Sequence, residues 1–409
     1  MQKDVEVSEI TDIKDIDSAE LAKNENAKFS FGGATLYGIN AVIGSGIFLL
    51  PRTIYQDLGP ASLVAMVLDA VLVLMLAVCF AEVAGYFNKN GGAFQYSKTA
   101  FGDFIGFNVG VLGWFVTIIA WAAMAAGFAK LLIQTFPALE GQNTLISICL
   151  VIFLSVINSM GIKTSKIFTI VITIAKLIPI IAFTLIAVFF IKNGINQGNF
   201  TPFLQLNPDM TLSKAMASTS LTVFYAFIGF EALPVVAGEM RNAKKNVPKA
   251  IIGSISIVSL LYFMIIAGTI AMLGTGILQS NAPVQDAFVE MIGPAGKWII
   301  SIGALISIAG LNMGDSLMIP RYGASIADEG LLPKVIAKKN NKNAPIVAII
   351  FSGLLTIAFL LSGTVRSLSF LPVHSDCIGS YLVEKKRHGK CACFPAAVWS
   401  SHSNYLHSC

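Results

Sequence analysis

The sequence predicts an all-α, polytopic membrane protein, and three observations carry that prediction. Charged side chains make up 12% of the 409 residues, where soluble domains carry about 25%. Nine apolar stretches recur along the chain, each long enough to cross about 30 Å of hydrocarbon as a helix of about 20 residues. Two of the nine are interrupted mid-course by glycine, serine or proline.

Residues 1–28 hold eight acidic and four basic residues and read as a flexible cytoplasmic tail without a cleavable signal. The first span, 29–51, contains the run GINAVIGSGIFLLP. Glycine inside a helix costs about 1 kcal/mol relative to alanine. Loose backbone groups in lipid cost several more unless something satisfies them. Either close packing of small residues or a ligand must therefore account for Gly44, Ser45 and Gly46.

The second span, 59–81, has one charge, Asp69, with no partner that the sequence names. The third and fourth, 104–129 and 142–162, are uncharged. Cys79 and Cys149 stand alone in apolar runs and read as packing residues. The fifth, 167–191, places Lys176 about ten residues from either end, ahead of Pro179. A lysine that deep can take up and release a proton during a transport cycle.

The sixth span, 213–238, brings Gly229, Glu231 and Pro234 within six residues. Proline lacks an N–H and clashes with the preceding turn, so this helix should kink or break. Glu231 is placed to gate, to titrate or simply to hydrogen-bond the broken backbone. The seventh span, 250–285, is uncharged, and the eighth, 298–327, holds Asp315 and Arg321 near its middle and end. Arg321 and Glu82 both fall near inner ends, as an inner gate pair or as headgroup contacts. The ninth span is 344–365.

The first and sixth spans each open a block, 29–192 and 213–365, and their breaks lie at matching depth. Two broken helices at corresponding positions of two halves point to a transporter site at the bilayer midplane. A half-helix N-terminus offers N–H groups to a carboxylate, and unwound carbonyls suit an ammonium group. Such a pair can hold both ends of a zwitterion without a charged side chain. Short loops on one side carry 13 Lys and Arg between Lys89 and Lys342, against five on the other (Arg52, Lys130, Lys192, Lys214, Lys297). That bias places the N-terminus in the cytoplasm, and the net charge of +5 reflects topology, not nucleic-acid binding.

All four histidines and four of the six cysteines fall in the last 36 residues. Histidine-dependent catalysis and histidine-ligated metal are thereby excluded from the membrane body. The segment 366–409 is anomalous: a zinc cluster, a genuine cytoplasmic tail and a coding frame disrupted near residue 370 compete, and the abrupt composition shift favours the last.

GSGIFLLP in the first span, FYAFIGFEA followed by GEMRNAKKNVPKAI after the sixth break, and SLMIPRYGASIADEGLLPK at the end of the eighth resemble the amino acid–polyamine–organocation superfamily of permeases. The resemblance covers about residues 28 to 365. It implies a leucine-transporter-like fold of two inverted five-helix repeats with discontinuous helices 1 and 6, the second repeat lacking its tenth span here. It implies that a substrate carboxylate meets the backbone of Gly44, Ser45 and Gly46, and that the amino group meets carbonyls of Val42, Tyr225 and Ile228. Lys176 matches a lysine that stands where sodium-coupled relatives bind Na⁺, and Glu231 a glutamate linked to gating.

The expected function is secondary active transport of an amino acid across the cell (cytoplasmic) membrane, coupled to protons, by alternating access. An exchanger, a binding sensor without flux, and a non-functional truncated permease are the alternatives. Phe224, Phe227 and Ile228 favour a small or apolar substrate side chain. No cofactor or metal is expected. The spans show no nucleophile–base pair, which argues against an enzyme.

Overall fold

The computed structural model describes residues 27–362, so nearly all of the acidic N-terminal segment and the whole of the Cys/His tail at 366–409 lie outside the described residues. The described part is helical, with a single isolated bridge between Phe29 and Met240. Helices occupy all nine apolar stretches. The first span is α1 (Phe31–Val42), a 3₁₀ turn (Ser45–Phe48) and α2 (Leu50–Leu58). The second is α3 (Ser62–Ala84), and a short helix, α4 (Ala93–Phe101), leads into the third, α5 (Asp103–Thr135). The fourth and fifth are α6 (Asn143–Ser159) and α7 (Ile162–Asn196).

The sixth span is α8 (Leu212–Ala226), a loose turn and α9 (Ala232–Val235). The seventh is α10 (Ala243–Leu273), followed by α11 (Pro283–Ile292). The eighth and ninth are α12 (Ala295–Asp328) and α13 (Ile346–Leu361). Five helical stretches are long and apolar enough to cross a membrane: 50–84, 103–135, 162–196, 243–279 and 295–328. The remaining expected spans are α6 and α13, apolar but shorter, and the two broken helices.

Several boundaries differ from the sequence expectation, for local reasons. The first span runs on to Leu58 and stops at Gly59, whose φ of +61° ends the helix. The seventh starts at Ala243 and stops at Gly274, with φ +49°, so the expected 250–285 is a helix, a 3₁₀ turn and the start of α11. Pro179 leaves α7 unbroken, and the bare α-carbon of Gly303 lets α12 approach it. Cys79 and Cys149 are exposed, not packed in the core.

Packing follows the two-block organisation. The second span meets the seventh (α3 on α10), the third the eighth (α5 on α12) and the fourth the ninth (α6 on α13). The half-helix α2 likewise meets α8. Four of the five spans of the first block thus meet their counterparts five spans later, as in an inverted repeat. Among the described residues the second block contributes four spans. α1 lies against α7, α10 and α12, so the broken first helix runs through the centre of the bundle.

Candidate functional site: two broken helices held at their ends

The break in the first helix is a short one. Ile43 leaves the helix in an extended conformation (φ −76°, ψ 106°), and Gly44 continues it (φ −101°, ψ −169°). The chain then re-enters as the 3₁₀ turn at Ser45. The first N–H groups of such a turn have no helical partner. A side chain at Gly46 would meet open space, whereas one at Gly44 would come to 3.0 Å of Leu311. Gly46 therefore gives the backbone an open approach, and Gly44 lets α12 close in.

The break in the sixth helix is tighter. Gly229 adopts φ +130°, a conformation that strains any other residue. A β-carbon there would lie 2.2 Å from the Ala41 carbonyl oxygen, so the two unwound segments touch through backbone alone. Glu231 folds back, and its carboxylate accepts the Gly229 N–H at 2.9 Å. Tyr225 and Ile228 are exposed, and the Tyr225 carbonyl accepts the Ile228 N–H at 3.2 Å.

Side chains from three other helices hold these ends. Lys176, fully buried on α7, donates to the carbonyls of Ile43 (2.6 Å) and Asn40 (3.0 Å). Those carbonyls are the last of α1, the negative end of its dipole, so the ammonium is neutralised by backbone and not by a carboxylate. Ser307 on α12 reaches the same Ile43 carbonyl at 3.4 Å. Asn40 donates to the Gly310 carbonyl at 2.7 Å. Gly310 must lack a side chain, since a β-carbon would sit 2.6 Å from Asn40 Oδ1 and 3.4 Å from Lys176 Nζ. Tyr262 on α10 donates to two carbonyls, Val42 at 3.3 Å and Ala226 at 3.2 Å. One hydroxyl therefore spans both breaks.

A second polar cluster lies beyond the breaks. Arg321 is buried and pairs with Glu239 at 2.5 Å, just after the sixth helix. It also donates to Asn158 Oδ1 and to the Leu317 carbonyl, each at 2.9 Å, while Asn158 donates to the Ser316 carbonyl. Of the two readings of Arg321 and Glu82, an inner gate pair or headgroup contacts, the pairing is not what the structure shows: Glu82 is exposed on α3, and Arg321 takes Glu239. Beside this cluster Phe29 exchanges backbone hydrogen bonds with Glu239 and Arg241, both 2.9 Å, tying the start of the first helix to the end of the sixth. Asp315 lies within electrostatic reach of Glu231.

The structure thus gathers Val42, Gly44, Lys176, Gly229 and Glu231 around the two breaks. Asn40, Tyr262, Ser307 and Glu239 belong to the same arrangement, and sequence reasoning missed them. Two signals were present: Asn40 falls one turn before the GSG run, and Tyr262 is the sole tyrosine of α10. Among the described residues no group of His, Cys, Asp and Glu is arranged to hold a metal ion.

The amino acid permease family model matches residues 29–375. An uncharacterized transporter of Mycobacterium tuberculosis is 31% identical over 360 residues, covering 82% of this chain and 74% of that protein. The serine/threonine exchanger of Bacillus subtilis is 30% identical over 347 residues, covering 82% and 76%. Among solved structures, Mhp1, a nucleobase-cation-symport-1 family transporter in a closed conformation with bromovinylhydantoin bound, superposes with a TM-score of 0.56. That match covers 82% of this chain and 75% of Mhp1 at 13% identity, so it shows the shared leucine-transporter-like fold alone. With two broken helices meeting at the centre of paired blocks and a family match over most of its length, the chain belongs to the amino acid permease family and is a multi-pass membrane transporter, not an enzyme.

Proposed function

We propose that the chain moves an amino acid across the cell membrane by alternating access, coupled to protons, with its N-terminus in the cytoplasm. The observation that carries this reading is the meeting of two helix breaks through Gly229 and Ala41, with Tyr262 bonded to both. The backbone of Gly44, Ser45 and Gly46 takes the substrate carboxylate at the start of the second half-helix. Carbonyls of Val42, Tyr225 and Ile228 take the amino group, and the Tyr262 hydroxyl yields the Val42 carbonyl when the ammonium arrives. The blocks 29–192 and 213–365 act as the two repeats that rock about this site.

Lys176 carries the coupling proton in this reading. As an ammonium it bonds two carbonyls of the first break, and as an amine it can keep only weaker contacts, so its protonation biases how α1 sits. Glu231 gates by holding or releasing the Gly229 N–H. The test is labelled uptake into proteoliposomes with a competition panel of twenty amino acids, with and without an imposed proton gradient. Gradient-driven accumulation that Ser45→Trp abolishes supports the reading; bound substrate without flux would defeat it. The identity with a serine/threonine exchanger favours one second reading, obligatory exchange of small neutral amino acids. Uptake that needs internal amino acid and ignores the proton gradient would establish it.

A further inference from the structure

Asp69 lies outside the site described above. It sits in the buried stripe of α3 formed by Ala65, Met66, Asp69, Val73 and Ala77, and is 5% exposed. Its surroundings follow from a small apolar cluster in which Ala65 of α3 packs with Ala215 of α8. One turn further along both helices, Asp69 comes level with Thr219 and Ser220. One carboxyl oxygen, Oδ2, is buried without a hydrogen-bond partner among the described residues, and so is the hydroxyl of the fully buried Thr219.

Among the described residues a carboxylate in this place has no counter-charge. The elements packed on α3 are α10, α8 and α2. On α10 the titratable group within the span is Tyr262, whose hydroxyl is committed to the two broken ends; Lys244, Lys245 and Lys249 lie at its far end. On α8 these groups are Lys214 and Tyr225, both on exposed faces. On α2, Arg52 holds Ser280 and Asn281, Tyr55 reaches Gln205, and Asp57 is engaged elsewhere. Burying an uncompensated carboxylate in the membrane costs several kcal/mol, which favours the neutral carboxyl while the two helices are packed.

We infer that Asp69 is a proton-binding site of the transport cycle, occupied while α3 and α8 are packed together. Losing the proton leaves a carboxylate that needs water or more donors, and the nearest way to supply them is to part α8 from α3. α8 is the first half of the broken sixth helix, and its last carbonyl at Ala226 is tied through Tyr262 to the first break. Proton occupancy at Asp69 and the position of the sixth-helix break are therefore linked, each favouring the other. This rests on the transport reading only for the word cycle; the proton site itself does not.

Infrared difference spectroscopy of the full chain in lipid tests it without transport. The expected result is a carboxylic-acid carbonyl band that disappears as pH is raised, is missing in Asp69→Asn, and survives in Lys176→Ala. A spectrum that Asp69→Asn leaves unchanged, or a band assigned to Asp69 that does not respond to pH, overturns the proposal; the first means an ionised group, the second a permanently neutral structural one. In uptake assays Asp69→Asn, which fixes the neutral shape, should flatten an alkaline limb that falls about tenfold per pH unit in the parent. An unchanged limb overturns the role in transport. Should that variant not fold, Asp69→Glu, which keeps a carboxyl at the site and must shift the band, decides in its place.

Discussion

At the residue scale, backbone carbonyls do most of the holding at this site, and the side chains that matter are those that reach them. Lys176 balances its charge on the end of a helix, an arrangement that serves only while the amine is protonated. Replacing it by alanine should remove the pH dependence of uptake, and normal gradient-driven uptake by Lys176→Ala would discard the coupling. Tyr262→Phe keeps the ring against Phe227 and deletes one hydroxyl that bonds two carbonyls. A loss of about 1 kcal/mol of stability is expected for a net hydrogen bond, read as a lower melting temperature of the substrate-free protein. Gly229→Ala adds a β-carbon 2.2 Å from the Ala41 oxygen at φ +130°. It should lower stability by about 1–3 kcal/mol and abolish uptake, because neither backbone can yield without separating the two breaks.

At the scale of elements, two devices tie helix ends together beyond the breaks. The buried Arg321–Glu239 pair, with Asn158 beside it, joins α12, the end of the sixth helix and α6. Arg321→Ala leaves Glu239 without its partner and should cost about 3 kcal/mol, visible as a lower melting temperature in detergent. In the alternating-access reading this cluster joins parts that separate as the site opens on that side, so the milder Glu239→Gln should raise substrate exchange while lowering stability. The second device is Glu329, bonded to Lys98 at 2.8 Å and Lys89 at 3.0 Å. The hydrogen bond from Lys98, and then that from Lys89, hold its carboxyl down at about 2, while Glu329 raises Lys98 above the usual lysine range. A lowered carboxylate pKa contributes stability above the ordinary value near 4.3, lost as pH falls toward 2. Glu329→Gln should therefore cost less than about 1 kcal/mol at pH 7, since the pair is partly exposed, with the difference vanishing in acid.

At the scale of the molecule, the proposed rocking motion rests on the paired packing of the two blocks. The second span on the seventh, the third on the eighth and the fourth on the ninth form matched contacts around the central first helix. The nine apolar stretches, the two breaks and Lys176 were all legible in the sequence. Hydrocarbon thickness fixes span length, proline and glycine mark broken helices wherever they fall, and an ionisable residue in lipid stands out. Residue chemistry alone also showed that the membrane body has no histidine to bind metal. What only the tertiary structure decided is which groups meet. Arg321 took Glu239 and not Glu82, Tyr262 reached across from a featureless span, and Asp69 was buried in the inner stripe of α3. These pairings join residues up to 220 positions apart, as Tyr262 with Val42. Periodicity and propensity act within a few turns of one helix, whereas such contacts are set by how helices register against each other, which no local stretch of sequence encodes.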